Sequence, residues 1–168
     1  MKRISSFLIS VLCSATALAQ STNPLNYSGK MFVSSYEILS TPRYVSYEDH
    51  GILNSELTIP VTEITTLISD FENGTLKSGE TEYKIKVTDT KKYTLTDDSW
   101  VVVIYIEQRD GTNRFEYVWR EYGCAYLNTI NKEEDGSFRI TRMNLSRKPQ
   151  ITSPEEAILQ MLNSYGGY

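Results

Sequence analysis

Apolar and polar residues alternate with a period of two over much of this chain, most regularly between Trp100 and Glu121. That is the pattern of half-buried strands. Asp110-Gly111 sits in the middle of the stretch and is a strong turn signal, because the turn it favours needs positive φ. Folding the chain there sets Ile106 opposite Phe115, Ile104 opposite Tyr117 and Val102 opposite Trp119, with Trp100 on the same side. The other side then pairs Glu107 with Arg114, Val103 with Val118 and Val101 with Arg120. A slip of one residue would turn Phe115 and Trp119 to water, which the hydrophobic effect opposes.

Shorter alternating runs surround this hairpin. Lys30 to Leu39 and Tyr44 to Glu48 predict strands on either side of a turn at Thr41-Pro42. Tyr83, Ile85 and Val87 alternate with lysines, Tyr93 and Leu95 alternate with threonines, and Asp89-Thr90-Lys91 between them predicts a hairpin loop. Cys124 to Ile130 and Phe138 to Leu145 predict a further pair, joined across Glu134-Asp135-Gly136.

Two segments read as helical instead. After Pro60, the residues Val61, Ile64, Leu67, Ile68 and Phe71 draw one apolar stripe, and Asn73-Gly74 would end it. The many threonines there argue the other way. Ser153-Pro154-Glu155-Glu156 combines an N-cap, a proline at the first helical position and a capping-box glutamate. Ile158, Met161, Leu162 and Tyr165 then mark the face expected to lie on the sheet.

The predicted fold is one α+β domain over residues 30–168. A mostly antiparallel, strongly twisted or curled sheet of about seven to eight strands packs against the C-terminal helix. The alternative is a closed β-barrel of lipocalin-like shape, in which residues 60–72 would be a strand or a lid.

The N-terminus changes the picture of where this domain works. Lys2 and Arg3, an apolar run from Phe7 to Leu12, and Ala17-Leu18-Ala19 occur in the order of a cleavable secretory signal peptide. Cleavage is expected before Gln20, with residues 20–29 as a polar leader and the protein destined for the periplasm or the extracellular space. The apolar run is short of the roughly 20 residues that span a bilayer, and no later stretch approaches that length, so no membrane span is expected. Leu12 is too bulky for the lipobox position before Cys13, which argues against a lipid anchor.

Processing would leave 149 residues and, with Lys2 and Arg3 gone, take the net charge from −4 to −6. An acidic protein repels phosphate backbones, so nucleic acid is not an expected partner. Cys124 would be the one remaining cysteine, which rules out an internal disulfide framework.

Candidate chemistry is sparse. His50 is the only histidine, and pairing it with Cys124 as base and nucleophile has no local support. Asn131, Glu133, Asp135 and Gly136 resemble the start of a calcium loop, but Arg142 stands where the bidentate glutamate belongs, so a hairpin turn is the better reading. Arg139, Arg142, Arg147 and Lys148 form a basic stretch. It reads either as a docking patch for an anion or as a solvated strand face, and alternation puts Arg139 and Arg142 on opposite faces. Nucleophile-elbow, phosphate-loop, dinucleotide and zinc-helix motifs are missing, and nothing calls for a cofactor or a metal.

The expected function is a non-catalytic binding or interaction module. Its partner is a protein or a small-molecule ligand, and the exposed corner at Tyr44, Tyr47 and His50 is the candidate surface. The alternatives are a small hydrolytic enzyme using paired carboxylates or Cys124 with His50, and a structural component of a cell-surface assembly.

Overall fold

The computed structural model describes residues 20–41, 57–94, 99–121 and 125–165. The signal segment, the predicted strand at Tyr44–Glu48, the corner at Tyr44, Tyr47 and His50, and Cys124 lie outside the described residues.

The elements in chain order are β1 (Gln20–Ser21), a 3-10 turn (Pro24–Tyr27), β2 (Gly29–Thr41), β3 (Leu57–Pro60), β4 (Thr66–Asp70), β5 (Thr75–Ser78) and β6 (Thr81–Thr94). They continue with β7 (Trp100–Gln108), β8 (Arg114–Arg120), β9 (Ala125–Lys132), β10 (Phe138–Ser146) and α1 (Pro154–Tyr165). Every strand pairing is antiparallel. Neighbours run β6-β5-β4-β2-β10-β9-β8-β7, and β7 pairs back onto β6, so the curled sheet closes into an eight-stranded barrel. β3 pairs with β2 outside this circuit, and β1 adds to β6.

Closure follows from the long strands. β2 reaches β4 through Gly29–Phe32 and β3 through Ser35–Ile38, while its other edge holds β10. β6 likewise has β5 on one edge and β7 on the other. A barrel of eight strands is just wide enough for side chains to fill. Here Leu67, Leu76, Ile85, Ile104, Tyr117 and Leu127 are among those that do, each at most 1% exposed. Aromatic rings interlock with them: Phe71 and Trp119 lie against Tyr117, and Tyr83 meets Phe115 edge-on.

The central hairpin has the register that alternation predicts, with Ile106 opposite Phe115, Ile104 opposite Tyr117 and Val102 opposite Trp119. Glu107 and Arg114 approach to 3.8 Å on the outer side. In the loop, Gly111 takes φ +78° and Asp110 accepts hydrogen bonds from the Thr112 amide and hydroxyl. Those bonds hold the Asp110 carboxyl below its ordinary pKa. The outer side is drier than a charged face would be. Val101, Val103 and Val118 are buried there in a cluster with Tyr93 and Tyr126, and Tyr105 packs against it.

Three sequence expectations change. Residues 60–72 form no helix: Pro60 ends β3, and Thr66–Asp70 is a strand with Leu67 and Ser69 inward and Ile68 outward. The apolar spacing satisfies both periods, and β2 and β5 supply the pairing partners that decide for the strand. Asn73-Gly74 is accordingly the turn between β4 and β5. Asp89-Thr90-Lys91 is no hairpin loop either. β6 runs straight through it, with a bulge between Val87 and Asp89. The extra residue shifts the alternation by one, so that Thr90 faces inward and is buried. The third change is in α1. Ser153 caps it as expected, through the Glu156 amide. However, the buried residue on the helix is Ala157, while Ile158, Leu159 and Leu162 are 59%, 60% and 61% exposed. The small Ala157 lets the helix come close to β3, and the Thr152 amide bonds to the Val61 carbonyl beside it.

Residues 20–29 belong to the fold. β1 pairs with β6, and the Tyr27 ring packs on Trp119 at 5.6 Å. Ser69 Oγ lies within hydrogen-bond reach of the Tyr27 carbonyl at 3.2 Å, and Ser28 Oγ accepts from the Phe71 amide. The segment therefore sits over the aromatic layer of the core.

Gly74 gives a direct test of the β4–β5 turn. It takes φ +66°, and a Cβ there would stand 2.8 Å from the Ile85 carbonyl oxygen and 2.9 Å from the Arg109 guanidinium. Gly79 also has positive φ, +56°, but open space around it. Gly74→Ala is expected to cost about 2–3 kcal/mol, from left-handed strain plus the backbone clash. Gly79→Ala should show the conformational part alone, about 1 kcal/mol. Urea unfolding of both variants measures the difference.

Candidate functional site

The most developed candidate site is a groove on the outer wall of the barrel, where the ends of β8, β9 and β10 meet the bulge in β2. Its volume is about 860 Å³, and Arg120, Tyr126, Arg142, Arg147 and Lys148 are among its lining residues. This lies within the 300–1,000 Å³ typical of small-ligand sites.

Strand register brings these residues together. Arg142 on β10 stands beside Asn128 on β9, and Asn144 stands beside Tyr126, so Arg142 and Tyr126 are diagonal neighbours on the outer face. The Arg142 guanidinium lies over the Tyr126 ring at 4.3 Å, and Arg120 reaches the same ring at 5.8 Å. Each such contact stabilises by about 0.5–1 kcal/mol at exposed sites and more when desolvated.

Arg142 is also fixed from the side. Its Nε donates to Asn128 Oδ1 at 3.0 Å, and its Nη1 stands 3.5 Å from Glu37 Oε2. Glu37 in turn accepts a 2.9 Å hydrogen bond from Asn144 Nδ2, which also donates to Ser35 Oγ. Both charges are largely sheltered, with side-chain exposures of 17% for Arg142 and 23% for Glu37. Beyond Asn128, the same row continues to the buried carboxylate of Glu116. Arg142 thus forms a rigid floor, while Arg120, Arg147 and Lys148 are exposed around it.

The β2 bulge shapes one wall. The register between β2 and β10 shifts between Asn144 and Leu145, which leaves Ser34 over as the extra residue. Its hydroxyl donates to the Asn144 carbonyl at 3.1 Å. Past the end of β10, the Ser146 hydroxyl donates to the Lys148 carbonyl, which turns Arg147 and Lys148 along the groove.

A second hollow of about 340 Å³ lies over the β6 bulge and brings together three carboxylates, Asp89, Glu107 and Glu116. Asp89 and Glu107 stand beside cations, and Glu116 accepts from a neutral amide. Lys91 stands 3.7 Å from Asp89, Lys86 and Arg114 flank Glu107, and Asn128 donates to Glu116.

The basic stretch of the sequence is therefore divided. Arg142, Arg147 and Lys148 join the groove, while Arg139 leaves on the opposite face and pairs with Glu133 at 3.3 Å. The segment that resembles a calcium loop is the β9–β10 turn, with Asp135 accepting from the Ser137 amide and hydroxyl. Among the described residues no cluster of three or more His, Cys, Asp and Glu side chains could hold a metal. Among them, too, no helix is long and apolar enough to cross a membrane. Tyr126, Arg120 and Glu37 were not singled out by sequence. Their signal was the alternation of β8 and β9, which shows a face but not which residues of a distant strand share it.

The chain matches no protein-family model and no curated protein.

Proposed function

We propose that the mature chain is an exported, non-catalytic binding module that recognises an anionic ligand through the groove around Arg142. The observation that carries this reading is the concentration of four cations, Arg120, Arg142, Arg147 and Lys148, around one concavity in a protein whose net charge is −4. Cations gathered against the sign of the whole molecule are placed where they attract an opposite charge. Arg142 supports the reading further, because its neighbours hold the guanidinium in place before any ligand arrives, which lowers the ordering cost of binding.

Export is part of the proposal and rests on the order of charge, apolar run and small-x-small site at the N-terminus. N-terminal sequencing of the protein recovered from the periplasm or medium should begin at Gln20. Intact Met1 on soluble cytosolic protein would overturn the export reading. For binding, amide NMR spectra of the mature chain should shift around Arg120, Arg147 and Lys148 on addition of citrate or inorganic phosphate, and stay still with glucose. Shifts confined to another surface would remove the groove from consideration. Turnover of chromogenic ester or glycoside substrates would replace the binding module with the hydrolase alternative.

A further inference from the structure

Resting on the groove as an anion site, we infer that its ligand is a compact dianionic oxyanion of the phosphoryl type, as free phosphate or as a phosphate monoester. Three observations narrow the class.

The first is charge balance. The four cations face two carboxylates, Glu121 in the groove and Glu37 bound to Arg142, which leaves a surplus of two positive charges. A phosphate monoester carries about −1.5 to −2 at pH 7, and its oxygens suit the fork of donors on an arginine.

The second is extent. The positive zone is short. Followed away from the groove, β10 leads back to the β9–β10 turn, where Glu133, Glu134 and Asp135 stand together between Lys132 and Arg139, and Arg139 is bound to Glu133. On the flank beyond Asn128 stands Glu116. An extended polyanion laid along β10 would leave the cations within a few residues and meet carboxylates.

The third is the lining. Tyr126 already carries two guanidinium groups over its ring, so it offers little free face for stacking a neutral sugar. Of the remaining polar walls, Ser34, Asn144 and Ser146 already donate within the protein, which leaves the cations, Gln150 and bridging water to meet a ligand's oxygens.

The test is a calorimetric and NMR titration of the mature chain in about 0.15 M salt, where charges beyond roughly 8 Å are screened. The probes are inorganic phosphate, glycerol phosphate, methyl sulfate as a tetrahedral monoanion, and heparin as a sulfated polyanion. At least one phosphate should shift the groove residues and bind at least tenfold tighter than methyl sulfate. For glycerol phosphate the affinity should fall about fourfold between pH 7.5 and 5.5, as the ester's second ionisation near pH 6 is lost; for inorganic phosphate, whose second ionisation lies higher, the fall should be steeper. Arg120, Arg142, Arg147 and Lys148 keep their charge over that range.

The double variant Arg147→Ala/Lys148→Ala should weaken phosphate binding at least tenfold with an unchanged melting temperature, and Arg139→Ala should leave it as it was. Tighter binding of glycerol phosphate than of inorganic phosphate identifies an ester as the ligand, and the reverse order identifies the free ion. If heparin fills the groove while neither phosphate exceeds methyl sulfate, the dianion is wrong and the anion groove stands. If no anion shifts the groove, both readings fall.

Discussion

Tyr117→Ala is expected to be the most destabilising single substitution in the barrel, at about 3–5 kcal/mol, the range for deleting a large aromatic from a packed core. Tyr117 is fully buried, and its ring packs against both Phe71 and Trp119. Tyr117→Phe should behave quite differently. Among the described residues the hydroxyl has no hydrogen-bond partner, and it is shut off from solvent, as is the neighbouring Trp119 indole N–H. Ser69 and Trp119 stand close enough to the hydroxyl to favour its ionised form slightly, but burial outweighs them and pushes the Tyr117 pKa far above its ordinary 10.0. A buried hydroxyl without a partner costs about 1–3 kcal/mol of desolvation, so removing it should leave the barrel at least as stable as the native protein.

The raised pKa adds a pH signature. Below pH 10 the hydroxyl is protonated in both folded and unfolded chains, and its contribution to stability is fully present. As pH climbs past 10.0, the unfolded chain releases that proton while the folded one holds it, and stability falls. Tyr117→Phe should therefore flatten part of the alkaline decline. Urea unfolding at pH 7, 9 and 10.5 reads both effects. A loss above 1 kcal/mol in Tyr117→Phe at pH 7 would mean that the hydroxyl has a partner after all.

The hairpin that holds Tyr117 was legible because its information is local: alternation on both strands, one turn signal, and a slip penalty that fixes the register. The pairing of β9 with β10 was legible for the same reason. Residues 60–72 were not, because Leu67, Ile68 and Phe71 fit a helical stripe as well as a strand, and only β2 and β5, which are distant or short, decide between them. β6 was read as two strands because a bulge shifts its alternation at Thr88, and a phase shift looks like a break when the partner strand is unknown. On α1 the apolar stripe was present, but a small residue, Ala157, made the contact. The groove was the least legible feature. Arg142, Arg147 and Lys148 showed as a charge run, yet the concavity depends on Glu37 from β2, Tyr126 from β9 and Arg120 from β8. Those come together only when β2, β10, β9 and β8 pair side by side.

Arg142→Met should cost about 2–4 kcal/mol, well above what an exposed ion pair contributes. Methionine keeps the aliphatic stem over Tyr126 but removes the guanidinium. Three losses then coincide. Glu37 is left a sheltered carboxylate with Asn144 Nδ2 at 2.9 Å but no countercharge from β10. Asn128 Oδ1 loses the 3.0 Å donor that Arg142 supplied, at a position with no exposure to water. Tyr126 loses the closer of its two cations. The largest of these is the unpaired carboxylate, since breaking a sheltered pair from one side strands the other charge.

Glu37→Gln should therefore rescue Arg142→Met in part, because a neutral amide in place of the carboxylate needs no countercharge. A double-mutant cycle on unfolding free energies should give a coupling of about 1–2 kcal/mol between the two positions. Additive losses would show that Glu37 is content with Asn144 and solvent, and that the cost of removing Arg142 lies with Asn128 and Tyr126. The same variants separate stability from recognition. Arg142→Met removes the cation at the floor of the groove, so inorganic phosphate should bind it at least tenfold more weakly. Glu37→Gln keeps that cation and removes its competitor, so it should bind phosphate more tightly than the native protein while being the less stable of the two.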